Sequence, residues 1–126
     1  MGGRGSTGGN SPSSGKATAR QTLSVTNDGI DKATFKADKL TNRYVASTGT
    51  ITYPDGEKSN KAVEMVVMRG RDEGKTFYTT RFIVKHTGAD WQYVDRQYSS
   101  LNAAKAGVKD DVKEYLSDLQ RERRRS

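Results

Sequence analysis

The chain reads as an α+β domain, an antiparallel β-sheet of about five to six strands packed on a C-terminal helix. Three observations predict it. Between Gln21 and Tyr98, runs rich in β-branched and aromatic residues recur with a period near two. Turn residues such as Asn27-Asp28-Gly29 and Pro54-Asp55-Gly56 separate those runs. After Tyr98 the apolar period lengthens to that of a helix. The 126 residues suffice for one small domain, and with only 32% of them hydrophobic the core must be modest.

Each element follows in order. Residues 1–16 are almost entirely Gly, Ser, Thr, Asn and Pro, with little to bury against the entropy of ordering, so a disordered tail is expected there. Gln21 to Thr26 alternates polar and apolar residues and predicts a strand. Asn27-Asp28-Gly29 predicts a turn. Ile30 to Lys39 carries Ala33, Phe35 and Ala37 at alternate positions and favours a strand over a short helix. Arg43 to Tyr53 is a long run of β-formers in which Gly49 marks a bulge or bend. Beyond the Pro54-Asp55-Gly56 turn, Asn60 to Arg69 is the return strand, and its apolar residues on both faces place it centrally in the sheet. Gly70 to Gly74 reads as a loop.

The hairpin from Lys75 to Tyr98 is the expected organising unit. It holds the only Trp and two of the three Phe, in two β-rich runs either side of Thr87-Gly88. Leu101, Ala104, Val108, Val112, Tyr115, Leu116 and Leu119 then form one apolar helical stripe. Ser99 or Ser100 suits the N-cap. Gly107 costs about 1 kcal/mol relative to Ala and either bends the segment or splits it. The domain is expected over residues 17–121, with an arginine-rich tail at 122–126.

Several function classes lack their signatures. There is no cysteine, and the single histidine, His86, has Asp90 as its nearest carboxylate and no marked nucleophile. His86 therefore reads as a cross-strand or edge histidine. Asp72-Glu73 and Asp110-Asp111 read as solvated charges, and no phosphate-cradling or dinucleotide motif is present. No enzymatic activity, metal or cofactor is expected. No apolar run approaches the ~20 residues of a membrane span, and no secretory leader is visible, so a cytoplasmic protein is expected.

The opening Met1-Gly2-Gly3-Arg4-Gly5-Ser6 also fits a myristoylation pattern through Gly2 and Ser6, though a plain flexible tail explains it as well. Followed by its Gly/Ser stretch, this opening is similar to those of some small phage- or prophage-encoded proteins. The resemblance implies a phage origin, with a virion-associated location as one consequence, and assigns no role to any residue.

The net charge is +7, of which residues 1–20 carry +3, residues 21–98 carry +2 and residues 99–126 carry +2. Basicity favours anionic partners. Strand alternation puts Phe77, Arg81 and Lys85 on one face of their strand, and Trp91 and Tyr93 on one face of the next. If the helix covers Tyr78, Phe82, Val84 and Val94, those five residues lie on the open side, with Arg69 and Arg71 near its rim. Aromatics interleaved with cations suit single-stranded DNA or RNA. The same face also suits a protein partner or a second copy of the chain, as in a phage accessory protein acting on a host factor.

Overall fold

The computed structural model describes residues 21–86 and 88–125. The expected N-terminal tail, its Gly2/Ser6 pattern, and Ser126 lie outside the described residues. The order of elements is β1 (Thr22–Ser24), α1 (Asn27–Lys32), β2 (Lys36–Asp38), β3 (Arg43–Thr48), β4 (Thr50–Thr52), β5 (Lys58–Ser59), β6 (Val63–Asp72), β7 (Lys75–Val84), β8 (Gln92–Tyr98) and α2 (Leu101–Arg125). A five-stranded antiparallel sheet runs β2-β3-β6-β7-β8, and a three-stranded sheet runs β1-β4-β5. The fold is α+β, with the larger sheet packed on the C-terminal helix. Neither described helix is long and apolar enough to cross a membrane.

One face of the larger sheet carries the core. Met65 stands opposite Phe82, Val63 opposite Val84, and Ala46 opposite Met65. Their buried side chains join Ala104, Val108 and Val112 of α2, all fully buried. Full burial of a Val side chain contributes about 1.5–3 kcal/mol, so Val108 and Val112 account for much of the helix's attachment. Ser100 begins α2: its hydroxyl accepts from the amide of Ala103 at 3.1 Å, which satisfies one of the unpaired first-turn donors.

Gly107 does not split α2 into two helices; the helix is continuous to Arg125 and so takes in most of the expected arginine-rich tail. The glycine instead makes room for Tyr98. A Cβ at position 107 would stand 2.2 Å from Tyr98 Oη and 2.6 Å from its Cζ. The propensity cost of glycine is accepted because the ring must cross the helix backbone there.

Four expectations are corrected in detail. Asn27 to Lys32 is a helix, not a turn leading into a strand. Thr26 caps it, its hydroxyl accepting from the amide of Gly29 at 2.9 Å, and Asp28 and Lys32 pair at 3.1 Å one turn apart. The bend expected at Gly49 is present: its φ of +79° is unsuited to side chains, and the chain passes there from the larger sheet to the smaller. The strand after Pro54-Asp55-Gly56 that pairs back is the short β5, whereas β6 pairs with β3 and β7 at the centre of the other sheet. Gly70 to Asp72 belongs to β6, leaving Glu73-Gly74 as the whole turn; both take positive φ (52° and 79°), as a tight hairpin requires. β7 ends at Val84 and β8 begins at Gln92, so both strands stop short of the expected Thr87-Gly88 turn, of which Thr87 lies outside the described residues.

Two stability predictions follow from this packing. Thr80 is 2% exposed on the helix-facing side, and its hydroxyl has no hydrogen-bond partner among the described residues. Replacing that hydroxyl with a methyl removes an uncompensated desolvation cost, so Thr80→Val should stabilise the protein by about 1–2 kcal/mol in urea denaturation. Gly107→Ala should destabilise by about 1–3 kcal/mol through overpacking against Tyr98, despite the better helix propensity of Ala. In a Tyr98→Leu background the same change should become neutral or stabilising.

Candidate functional site

α2 covers only one side of the larger sheet. The other side takes the alternate residues of β7: Lys75, Phe77, Thr79, Arg81, Ile83 and, just past its end, Lys85. Register fixes their neighbours. Arg81 stands between Val66 of β6 and Tyr93 of β8, and Val66 stands next to Val45, which faces Lys36. Phe77 stands opposite Gly70.

Trp91, Arg81 and Tyr93 form one cluster on this open face. The Arg81 guanidinium carbon lies 4.7 Å from the Trp91 ring centre and 5.9 Å from the Tyr93 ring centre. Its Nη1 donates to the Tyr93 hydroxyl at 3.4 Å. A cation over aromatic faces gains about 0.5–1 kcal/mol where exposed and more where desolvated. Tyr93 is 66% exposed, and Trp91 and Arg81 are half-buried. The Arg81 Nε is buried and has no hydrogen-bond partner among the described residues. The rings thus hold the guanidinium in one orientation while its donors are not all used.

The remaining expected site residues divide. Phe77 lies on the same face, its ring folded over Gly70, where a Cβ would come within 2.6 Å of the ring. Lys85 is also on this side, but its Nζ is 3.4 Å from a Glu64 carboxylate oxygen. Arg69 and Arg71 are not on this face. They follow Val67 at alternate positions in the ten-residue β6, opposite Tyr78 and Thr76, and so project from the helix-facing side. The expectation treated Gly70 onward as a loop, and a strand there fixes the alternation. Arg69 instead donates to Asn42 Oδ1 at 3.2 Å.

Lys36 and Arg43 reach the open face from β2 and β3, and local reading missed them because strand register is not a local property. Acidic residues share the face: Asp38 opposite Arg43, Glu64 beside Lys85, and Asp72 opposite Lys75. Its charge is close to balanced, although β7 itself contributes only cations. Beside β7, an irregularity in β8 between the pairs Tyr78–Tyr98 and Thr80–Val94 opens a hollow of 440 Å³ whose lining includes Met68, Thr79, Tyr93, Asp95 and Gln97.

The opposite side is organised by packing. His86 Nε2 and the Tyr115 hydroxyl are 3.1 Å apart, with the two rings stacked at 6.3 Å, so this histidine ties the end of β7 to α2. Tyr115 also meets Phe82 edge-on at 5.6 Å. Among the described residues, no three His, Cys, Asp or Glu side chains gather as a metal-ion site. These features define a small α+β protein with an uncovered sheet face bearing an aromatic–arginine cluster. Comparison with protein-family models, curated proteins and solved structures gives no match.

The electrostatics behind this face are testable at Asp111. Its side chain is 15% exposed and one carboxylate oxygen is buried without a hydrogen-bond partner among the described residues. Burial raises its pKa above the ordinary value, Arg96 at 3.9 Å opposes that, and Glu114 and Asp110 add to it. A raised folded-state pKa means that ionisation costs stability: the contribution is most favourable at low pH and is lost as pH rises through the carboxylate range. Asp111→Asn should therefore gain stability relative to wild type as pH rises from about 3 to 6 in urea denaturation, with the difference smallest at the acid end.

Proposed function

We propose that the open sheet face binds single-stranded nucleic acid without catalysing a reaction. The observation that carries this reading is the Trp91–Arg81–Tyr93 cluster on the side that α2 leaves uncovered. Exposed aromatic faces stack on bases irrespective of sequence, and cations beside them neutralise phosphate. Trp91, Tyr93 and Phe77 are the stacking groups. Arg81 and Lys75 are the main phosphate contacts, and Lys85 contributes while shared with Glu64. Arg69 and Arg71 project from the other side and have no part in it. On this reading the protein works inside a bacterial or infected cell.

A second reading has its own supporting observation. The near balance of charge on the open face suits a protein partner better than a polyanion, and Trp, Tyr and Arg dominate interface hot spots. A phage accessory protein acting on a host factor, or a homodimer, would use the same face.

Titration of Trp91 fluorescence with single-stranded oligonucleotides at several salt concentrations separates the two. Nucleic-acid binding predicts quenching, with log K falling against log salt at a slope of about −2 for roughly three phosphates on a single strand. Lys75→Gln should reduce that slope by about 0.7, and Arg81→Gln should weaken binding at every salt concentration. Absence of quenching by DNA and RNA alike, with self-association or specific capture of one protein, would support the second reading. Loss of binding on removal of residues 121–126, with Arg81→Gln and Trp91→Phe both silent, would locate the affinity in terminal charge and exclude the sheet face.

A further inference from the structure

We infer that the bound strand lies along β7, spans three nucleotides, and carries an amino-bearing base (cytosine, adenine or guanine, rather than thymine or uracil) at its middle position. The inference rests on the nucleic-acid reading above and specifies its ligand.

The direction follows from where stacking surfaces lie. Across the sheet from Tyr93, the row continues through Arg81, Val66, Val45 and Lys36 and offers no second ring. Along β7, Phe77 lies four residues from Arg81 on the same face, a separation of about 13 Å at the rise of an extended strand. An unstacked single strand stretches to roughly 6–7 Å per nucleotide, about twice the duplex rise. Two such steps carry a strand from the Phe77 ring to the Trp91–Tyr93 pair. First and third bases then stack at the two ends, and β7 presents Lys75 and Arg81 beside those positions with no carboxylate of its own.

The middle base falls over Thr79 and Met68, at the hollow that the β8 irregularity opens. Of the hollow's lining, Tyr93 is taken by the third base and Arg96 is paired with Asp111 of α2 at 3.9 Å, which leaves Asp95 and Gln97 to meet the middle base. A carboxylate accepts hydrogen bonds only, so it favours a base that presents an exocyclic amino group and disfavours the carbonyl edge of thymine or uracil. Asp95, a fourth carboxylate on this face, therefore acts as a base-selecting group.

The test is a fluorescence titration of the full-length protein with oligothymidylates of two to six nucleotides, and with a trinucleotide whose middle thymine is replaced by cytosine. Affinity should rise about five-fold or more between two and three nucleotides, the gain of one stacked base. Phe77→Leu keeps an apolar group over Gly70 and should remove that rise. The middle cytosine should tighten binding, and Asp95→Asn should abolish the preference without affecting the length dependence. Equal affinity for two and three nucleotides, or a cytosine preference that survives Asp95→Asn, overturns the inference while leaving nucleic-acid binding intact. Absence of quenching at every length and by both compositions overturns the binding reading and this inference together.

Discussion

The structure depends on one contact layer: the apolar stripe of α2 laid across one face of β6 and β7. Ala104, Val108 and Val112 supply the helix side, and Met65, Val67, Phe82 and Val84 supply the sheet side. With few hydrophobic residues, the chain concentrates its burial there. This layer decides everything about the other face, because strand alternation sends Arg81 outward wherever Thr80 and Phe82 point inward. A single helix cannot cover both sides of a five-stranded sheet, so the aromatic and cationic residues on alternate positions remain accessible.

The rest of the chain braces that layer. α1 contributes Ile30 to the core, and its Asp31 is held by two lysines of α2: Lys113 reaches the carboxylate at 2.7 Å and Lys109 the main-chain oxygen at 2.8 Å. The Lys113 ammonium is stabilised foremost by that hydrogen bond to Asp31, which raises its pKa. Lys105 and Lys109 also lie over the ring of Phe35, and Lys105 over Tyr44, closing the edge where β2 joins. Lys105, Lys109 and Lys113 are thus committed to holding the N-terminal half of the domain, whereas Arg81 meets Trp91 and Tyr93 on the open sheet face.

Much of this was legible in the residues. The change of period after Tyr98 marked α2, and alternation within Lys75 to Lys85 sorted inward from outward side chains correctly. What failed was local chemistry with two readings, or pairing that no local window contains. Asn27-Asp28-Gly29 resembles a turn, yet Thr26 as a cap and the Asp28–Lys32 spacing were available signals for a helix. Arg69 and Arg71 were misplaced because Gly70 suggested a loop; the glycine instead accommodates the Phe77 ring within an unbroken strand. Gly107 likewise answered to Tyr98, a partner outside its own helix. The cations Lys36 and Arg43 could not be assigned to the open face before the register of β2, β3 and β6 was known.

The central claim is that β7 separates a sealed face from an open one. Cysteine labelling measures this directly, because the chain has no cysteine of its own. Thr79→Cys and Thr80→Cys differ by one residue and should differ in reactivity by orders of magnitude under native conditions, with Cys at 79 alkylated readily and Cys at 80 modified only on unfolding. Equal protection of both positions would mean that the second face is also covered, and preferential labelling at 80 would mean that α2 packs on the wrong side; either result contradicts the account.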